Sequence, residues 1–421
     1  MKAALIARYG SNDLVKVVDT AVPVIGSMDL LVQVHAASVN PVDVKTRNGQ
    51  LKTLLKYQFP LVLGNDLSGV VSDVGAQVTR FKKGDAVYAR LDKDRIGTFA
   101  EFAVVREGAA ALKPTNVTFE EAASFPLVAL TAWQALVEIG KLGAHQRVLI
   151  HAGSGGVGSV AIQLARHLGA TVFTTVGQRN VELVKRLGAD VSIDYRSARF
   201  EDAAKDCDVV LDSAGGETLV RCFECVKPGG VVVSIGSTPS ARFARSWGLN
   251  PIIVLAISMM SRKATAAARG HHARYEYLFV RADGEQLREI TRLVESGAIK
   301  PLVDKVFSSK CVTHSRIPSP GGRREKWSSK WREHSAHVRN AFPVDRVGAG
   351  LEGVVSVDRP DRFGTEASPI SAGAEKPASL SEGACRLAAD GLVVGALAVC
   401  VGHRNRSSEN VHEIGSSAQL H

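Results

Sequence analysis

Apolar and polar residues alternate along several segments of the first 125 residues. The segment LLVQVHAASV (residues 30–39) has the pattern of a strand with one buried face. The segment GVVSDVGAQVTRFKKGDAVYA (69–89) predicts two strands around a turn, and GTFAEFAVV (97–105) predicts a further strand. We therefore expect residues 1–125 to form a β-rich domain.

The pattern changes near residue 119. FEEAASFPLVALTAWQALVEIG (119–140) places apolar residues three and four apart, which predicts helix, whereas the short apolar run RVLIHAG (147–153) predicts a strand. The helix VGSVAIQLARHLG (157–169) follows at once, and strands and helices continue to alternate along the chain. This alternation predicts α/β architecture with a parallel, doubly wound sheet, which we assign to residues 126–269.

Between that strand and that helix lies the glycine-rich stretch HAGSGGVGS (151–159). A GxGxxG pattern in this context is the fingerprint of a dinucleotide-binding turn. Gly153 permits the tight turn, Gly155 lets the backbone approach a pyrophosphate, and Gly158 lets the helix pack against the strand. Free amides at the start of the helix would hold the anion, and a plain strand-to-helix turn is the alternative. The predicted cofactor-binding residues here are Gly153, Ser154, Gly155, Gly156, Val157 and Gly158.

The end of the next strand bears on the choice of cofactor. A site for NAD carries an acidic residue near this point, which holds the ribose 2′-hydroxyl. Here the strand TVFTTVG (171–177) is followed by Gln178 and Arg179. Neither residue repels a 2′-phosphate, and the guanidinium of Arg179 can pair with one, so both residues predict binding of NADPH. A solvated loop cation is the alternative interpretation of Arg179.

Composition and charge narrow the possible classes of protein. The chain has 421 residues, of which 45% are hydrophobic and 22% are charged, as is typical of a globular protein. Its net charge is +10, but the basic residues are scattered along the chain, and aromatic residues do not alternate with them in the densest basic patches. Nucleic-acid binding is therefore not expected. The first residues lack the pattern of a signal peptide, and no apolar run reaches about 18 residues, so no membrane span is expected.

All six cysteines lie at or after Cys207. This distribution forms no disulfide framework, and we take it to indicate a reducing, cytoplasmic setting. Cys222 and Cys225 form a Cys-x-x-Cys pair without a second pair nearby. Packing within a helix is therefore favoured over a zinc or redox role for these two thiols.

Seven motifs, in this order, resemble the medium-chain dehydrogenases/reductases, specifically their zinc-free branch of quinone oxidoreductases and enone reductases. The motifs are ASVNPVDVKTRNG, PLVLGNDLSGVV, FKKGDAVYA, GTFAEFAVV, FPLVALTAWQAL, HAGSGGVGS and VKPGGVVVSIGS. The resemblance extends from residue 1 to about residue 307 and implies a GroES-like catalytic domain, a Rossmann domain, a cleft between them and usually a homodimer. Residues 1–125 would then be the GroES-like domain, completed by about 270–307, and residues 126–269 the Rossmann NADP-binding domain.

The zinc-using members of this family need three catalytic ligands, typically Cys, His and Cys or Asp. Asn40 stands at the cysteine position of their Cys-x-x-Asp motif, and Asn65 and Asp66 stand at the last two positions of their Gly-His-Glu. Their four-cysteine structural zinc lobe is also missing, because no cysteine precedes residue 207. Asp43 and Asp66 alone do not select zinc, so we expect no bound metal.

Hydride transfer to an acceptor that is already electrophilic needs no metal. The expected function is that of an NADPH-dependent oxidoreductase that transfers hydride to a quinone or an α,β-unsaturated carbonyl. Negative charge then develops on the carbonyl oxygen, where hydrogen-bond donors lower the barrier and a proton must arrive. The alternatives are a zinc-type alcohol dehydrogenase, or a non-catalytic relative that binds NADPH or nucleic acid.

The resemblance suggests residues for this chemistry. Asn40, near the nicotinamide and substrate, and Lys45 are the candidate donors; a turn cap and a solvated cation are their respective alternatives. Tyr57 is a further catalytic candidate, and Asn65 is a weaker candidate for lining the site. The remaining predicted cofactor-binding residues are Asp43, which would order the loop that carries Asn40, and Thr131, Ile235, Gly236 and Ser237.

An apolar stripe marks the segment WGLNPIIVLAISMMSRK (247–263). The stripe could line the substrate pocket or a dimer contact. Ordinary packing within the chain is the alternative.

The resemblance stops after DKVF (304–307). In place of the helix and final strand of the family, residues 308–421 are rich in Ser, Gly and Arg without clear periodicity. Codons formed from the third base of one residue and the first two of the next permit GKVVVKV, typical of the family's last strand. We interpret the tail as frameshifted by one base near Ser308 and expect it to be disordered or poorly packed. A genuine extension is the alternative, and loss of the final strand would uncover a sheet edge.

Overall fold

The computed structural model describes residues 1–236, 239–308 and 397–400. Strands dominate the first part of the chain, where apolar and polar residues alternate. They are β1 (Lys2–Ile6), β2 (Lys16–Asp19), β3 (Asp29–Val39), β4 (Leu61–Val62), β5 (Asp66–Val74), β6 (Ala86–Arg90), β7 (Phe102–Arg106) and β8 (Ala110–Leu112). The short helix α1 (Pro41–Arg47) lies between β3 and β4.

Strand β3 is the centre of this first domain. It pairs antiparallel with β5 and with β7, and its alternate residues Leu30, Val32 and Val34 are buried in the core. Strands β6 and β8 extend the sheet beyond β5, while β1, β2 and β4 form a separate three-stranded sheet. The prediction of a β-rich first domain is confirmed.

The second domain is a six-stranded parallel sheet, in the spatial order β11-β10-β9-β12-β13-β14. Its strands are β9 (Arg147–Ile150), β10 (Thr171–Val176), β11 (Val191–Asp194), β12 (Cys207–Asp212), β13 (Val226–Ser234) and β14 (Arg274–Tyr277). Helix α2 (Phe119–Ala123) precedes this domain and packs against β3 of the first domain. The helices of the second domain are α3 (Pro126–Trp133), α4 (Gly156–His167), α5 (Val181–Leu187), α6 (Phe200–Ala203), α7 (Gly216–Arg221), α8 (Ala241–Ser246), α9 (Pro251–Met260) and α10 (Arg262–Gly270). A π-helix over Gln134–Ile139 continues α3.

Both faces of this sheet are covered, as the continuous apolar strands require. Val148 and Ile150 of β9 pack in one hydrophobic cluster, with Val160 of α4, whereas Leu149 packs in another. That second cluster also contains Leu219 of α7. Because successive side chains of a strand point to opposite faces, helices lie on both sides of the sheet. The prediction of a doubly wound parallel sheet is confirmed.

The Rossmann sheet extends beyond the domain boundary predicted at residue 269, because it includes β14. Strand β14 pairs parallel with β13 and is the outermost strand of the Rossmann sheet. Its sequence, RYEY, has no apolar run, so the hydrophobic pattern gives no indication of a strand there. Helix α11 (Gly284–Glu295) then returns to the first domain, where the Tyr88 hydroxyl donates to the Leu287 carbonyl over 2.7 Å.

Two short strands lie beside β3. Strand β15 (Val306–Ser308) pairs parallel with β16 (Leu397–Cys400), and β16 pairs antiparallel with β3. The expectation of an uncovered sheet edge is therefore wrong, because the backbone of β16 occupies the position beside β3. The predicted frameshift and disorder otherwise fall on residues 309–396 and 401–421, which lie outside the described residues.

Helix α9 has no buried residue. Ile252, Leu255, Met259 and Met260 are between 63 and 77% exposed, so packing against the described part of the chain does not explain the apolar stripe of α9. Among the described residues, no single helix is long and apolar enough to cross a membrane. Helices α9 and α10 meet that criterion only together, and they are bent by 60°.

Candidate active site between the two domains

The predicted cofactor-binding residues meet at one edge of the parallel sheet. The glycine-rich turn follows β9, Gln178 and Arg179 follow β10, and Ile235 and Gly236 follow β13. The strand order reverses between β9 and β12, and ligands of open parallel sheets bind at such a point. Ser237 lies outside the described residues.

The glycine-rich turn has no room for side chains at two of its glycines. A Cβ atom on Gly153 would lie 2.1 Å from the Thr174 hydroxyl oxygen, and one on Gly158 would lie 2.3 Å from the Ala152 carbonyl oxygen. A larger residue at either position would push α4 away from the sheet. Helix α4 is capped by Gly155, and its first amides have no partner within the helix. The turn therefore fits a pyrophosphate.

The corner after β10 contains more recognition groups than the sequence analysis identified. Gln178 and Arg179 are exposed there. A Cβ atom on Gly177 would lie 3.6 Å from the Tyr195 ring, and the guanidinium of Arg196 lies 5.4 Å from the centre of that ring. Tyr195 and Arg196 follow β11 and not β10, so the sequence at the end of β10 does not indicate them.

Polar contacts tie this corner to the glycine-rich turn. The Asn180 side-chain amide donates to the Ser154 hydroxyl over 3.1 Å. Asp194 is in register with Val176, but its carboxylate accepts from the backbone amide of Arg196 over 3.1 Å, within its own turn. Asp194 therefore has a partner within its own turn, and the preference of this corner for NADPH stays a prediction.

Lys45 connects the two domains. It lies on α1 of the first domain, and its Nζ donates a long hydrogen bond of 3.4 Å to the Gly236 carbonyl after β13. Burial lowers the pKa of the Lys45 ammonium. The alternative interpretation of Lys45 as a solvated cation is therefore wrong, because the ammonium lies in the cleft, where the resemblance implies the nicotinamide.

The side chain of Asn40 is buried and engaged within the first domain. Its Nδ2 donates to the Ser38 hydroxyl over 3.0 Å and to the Asp66 carboxylate over 2.9 Å, which occupies both amide hydrogens. Its backbone N–H donates to Asp43 over 2.6 Å. Donation by Asn40 to a developing oxyanion would require one of these two hydrogen bonds to break, and it stays a prediction. Asn40 is also the N-cap of α1, at the start of the helix that carries Lys45.

Carboxylates and one guanidinium surround Asn40 in a buried network. Asp43 accepts from the Asn65 side-chain amide over 2.7 Å, and Asp66 lies opposite Arg90 in the β5–β6 register. Burial raises the pKa of Asp43 to about 6 and that of Asp66 to about 7, while it lowers the pKa of Arg90. Asp43 is only 3% exposed, so it orders the start of α1 and is not placed to contact a cofactor.

The same network occupies the positions where zinc-using relatives would carry ligands. Asn65 donates to Asp43, and Asp66 accepts from Asn40, so all three side chains at these positions are engaged within the protein. Within residues 1–236 and 239–308, no group of three or more His, Cys, Asp and Glu side chains could hold a metal ion. The donor set of amides and carboxylates does not fit the ligand preference of zinc.

Two further predicted residues direct their hydroxyls into the protein. The Tyr57 hydroxyl donates to the Lys93 carbonyl over 2.6 Å, and burial raises the pKa of this phenol. Thr131 is buried on α3, and its hydroxyl donates to the Leu127 carbonyl over 2.7 Å. Catalysis by Tyr57 and cofactor contact by Thr131 stay predictions.

A second contact across the cleft joins Lys93 and Trp247. The Lys93 ammonium lies 4.4 Å from the centre of the indole ring, which follows α8 in the Rossmann domain. Trp247 in turn packs against Phe243 and Phe279, with ring centres 4.7 and 4.9 Å away. An aromatic wall therefore borders the cleft, and no local sequence pattern indicates it because its members come from distant segments.

Comparisons with known proteins agree with this geometry. The model of the alcohol dehydrogenase GroES-like domain matches residues 26–115, and the zinc-binding dehydrogenase model matches residues 187–313. The chain is 36% identical over 332 residues to the mitochondrial NAD(P)H oxidoreductase RTN4IP1 of Danio rerio, covering 73% of this chain and 85% of that protein. It is 34% identical over 316 residues to the chloroplastic NADPH-dependent alkenal/one oxidoreductase of Arabidopsis thaliana, covering 72% of each.

Among solved structures, the quinone oxidoreductase from Coxiella burnetii is similar, with a TM-score of 0.64 and 32% sequence identity. The match covers 75% of this chain and 97% of that protein. Fold, glycine-rich turn and sequence similarity together define a medium-chain dehydrogenase/reductase that uses NAD(P)H. Within that superfamily, the chain belongs to the branch of quinone oxidoreductases and alkenal/one reductases.

The expectation of a cytoplasmic setting is wrong. The names of relatives at this level of identity place them in mitochondria and chloroplasts. A lack of paired cysteines indicates a reducing compartment, but it does not distinguish one reducing compartment from another.

The raised pKa values in the buried network predict how stability depends on pH. An unfolded carboxyl titrates near 3.8, so between pH 4 and pH 7 the folded chain holds protons on Asp43 and Asp66 that the unfolded chain releases. Each group therefore lowers the free energy of unfolding as pH rises, by up to about 1.4 kcal/mol per pH unit. Asp66→Asn removes one contribution, and we expect a flatter slope in urea denaturation between about pH 5 and pH 7.

The exposed residue Asp19 supplies the control for this experiment. Asp19→Asn, which alters a surface ion pair with Lys2, should leave the slope unchanged. A slope in Asp66→Asn equal to that of the unsubstituted chain would contradict the assignment of a proton to the buried network.

Proposed function

We propose that the chain is an NADPH-dependent reductase that transfers hydride, without a metal ion, to a quinone or an α,β-unsaturated carbonyl. The observation that carries this proposal is the Lys45 ammonium, held in the cleft beside the Gly236 carbonyl. The names of a chloroplastic alkenal/one oxidoreductase and a quinone oxidoreductase among its relatives support the substrate class.

When bound, the reduced nicotinamide supplies a hydride to the β-carbon of an enone or to a quinone. The electron pair of the acceptor then moves to its carbonyl oxygen, which needs a hydrogen-bond donor and a proton. The Lys45 ammonium offers both, and its lowered pKa favours release of a proton to that oxygen. Asn40 contributes indirectly, because it caps the helix that carries Lys45.

The preference for NADPH follows from the corner after β10. The guanidinium of Arg179 is exposed at the place where a 2′-phosphate would lie, next to Gln178. The phenol of Tyr195 and the guanidinium of Arg196 add a hydrogen-bond donor and a positive charge from the neighbouring strand. The acidic partner that would hold an unmodified ribose is replaced here by these groups.

Turnover by the purified chain tests the proposal and the role of Lys45 together. NADPH oxidation should be seen with an ortho-quinone or a small enone offered separately, and the better acceptor identifies the substrate class. Lys45→Gln should lower kcat roughly 100-fold, because the oxyanion loses its charged donor, while the Kd of NADPH changes less than about three-fold.

Lys52 provides a matched control, because it is an exposed lysine that shortly follows α1 in the sequence. Lys52→Gln should retain full turnover. An unchanged kcat in Lys45→Gln would remove Lys45 from the mechanism, and tight NADPH binding without turnover of either acceptor would favour a non-catalytic role.

Arg179 generates a separate prediction about the choice of cofactor. Arg179→Ala should raise the KM for NADPH roughly ten-fold and leave the KM for NADH unchanged, because only the 2′-phosphate loses a charged partner. Steady-state kinetics with both cofactors measure the two values. Arg186→Ala, on the exposed face of α5, is the control; equal loss for NADH and NADPH in Arg179→Ala would oppose the assignment.

We also propose that the chain forms a homodimer through α9 and β14. Strand β14 pairs only with β13 among the described strands, and α9 exposes Ile252, Leu255 and Met259. An isologous contact would cover both features at once. Leu255→Glu should therefore halve the mass in sedimentation, whereas Arg269→Glu on exposed α10 should not. A monomer in the unsubstituted chain would contradict this proposal.

A further inference from the structure

His151 is the first residue of the glycine-rich turn, and its imidazole is buried. Nδ1 lies 3.0 Å from the Thr175 hydroxyl oxygen, and Nε2 lies 3.3 Å from the Cys222 sulfur. The ring also meets Phe200 edge to face, with ring centres 4.6 Å apart. One side chain therefore joins the turn after β9, strand β10 and the segment after α7.

Thr175 of β10 accepts hydrogen bonds from the backbone of the glycine-rich turn. The Ala152 amide donates to the Thr175 hydroxyl oxygen over 3.2 Å, and the Gly153 amide donates to the Thr175 carbonyl over 3.0 Å. Ala152 has a φ of +53°, in the left-handed region that residues with a side chain seldom adopt. Such a conformation persists only where surrounding contacts fix it, and the contacts here converge on Thr175.

Hydrogen-bond accounting assigns the tautomer of the imidazole. The Thr175 oxygen already accepts from the Ala152 amide, so its own proton is available for Nδ1 of His151. Nε2 then carries the ring proton and donates to the sulfur of Cys222. The opposite tautomer would place a ring N–H, and not an acceptor, opposite the Thr175 hydroxyl. Burial also lowers the pKa of His151 to about 4, so the ring is neutral near pH 7.

We infer that His151 is a positioning residue for cofactor binding: it holds the Thr175 hydroxyl, and that hydroxyl fixes the backbone of the glycine-rich turn. The inference rests on the proposed dinucleotide site, because the fixed turn is the one that fits a pyrophosphate. His151 itself is buried, so the inference has it act through Thr175. The contact with Cys222 orients the ring but does not reach the turn.

The experiment measures Kd for NADPH by fluorescence titration, without any acceptor. His151→Leu removes both ring nitrogens at similar volume and should raise Kd about ten-fold. His151→Asn places an amide oxygen near the position of Nδ1 and should restore Kd to within about three-fold of the unsubstituted chain. Turnover at saturating NADPH should stay within about two-fold in both variants, because Lys45 is untouched.

Substitutions of the two partners separate the contacts. Thr175→Val should raise Kd at least as much as His151→Leu does, because it also removes the acceptor of the Ala152 amide, while Thr175→Ser, which keeps the hydroxyl, should not raise Kd. His151→Leu combined with Thr175→Val should be no worse than Thr175→Val alone, because Thr175→Val already removes the hydrogen bond that His151→Leu removes. Cys222→Ala, which leaves the Thr175 contact in place, should change Kd less than about two-fold.

Three results would overturn the inference. His151→Leu and Thr175→Val could lose stability in urea yet bind NADPH normally, which would make the contact purely structural. Equal losses in His151→Asn and His151→Leu, or in Thr175→Ser and Thr175→Val, would remove the hydroxyl from the explanation. An unsubstituted chain that binds no NADPH would overturn the proposed function as well, whereas one that binds it but reduces neither acceptor would overturn only the proposed function.

Discussion

The close approach of α4 to the end of β9 is the constraint on which the rest of the site depends. A Cβ atom on Gly158 would collide with the carbonyl of Ala152, and one on Gly153 would collide with Thr174. Only with glycine at these positions can α4 begin directly at the sheet edge with its first amides free. The same edge carries Gly236 after β13, which Lys45 contacts from the other domain. A shift of α4 would thus alter the shape of the cleft between the two domains.

Those parts of the fold that are specified by local patterns could be predicted from the sequence. The alternation in β3 and the strand–glycine–helix order around α4 are both contained in short segments, and the structure has both. Strand β14 could not be predicted in this way, because RYEY becomes a strand only through pairing with β13. The exposure of α9 was equally hidden, since an apolar stripe has the same sequence whether it faces a core or lies on the surface.

Individual roles in the site were harder to predict, because partners from distant segments decide them. Asn40 has the chemistry of a donor, but Ser38 and Asp66 accept both of its amide hydrogens. Lys45 could be read from its motif as a candidate, yet only the contact with Gly236 distinguishes it from a surface cation. The roles of Tyr195 and His151 could not be predicted for the same reason, since the strands beside them determine which groups they contact.

The buried network around Asn40 explains how the zinc-site positions are used here. Burying Asp43, Asp66 and Arg90 is expensive, and apolar residues of similar volume would serve stability as well or better. Their arrangement instead gives orientation: Asp43 holds the Asn40 backbone, Asp66 holds its side chain, and both fix the first turn of α1. Because Lys45 lies one turn further along that helix, a rigid start places its ammonium at the end of β13. The polar network thus fixes the position of Lys45 in the cleft, at a cost in the stability of the fold.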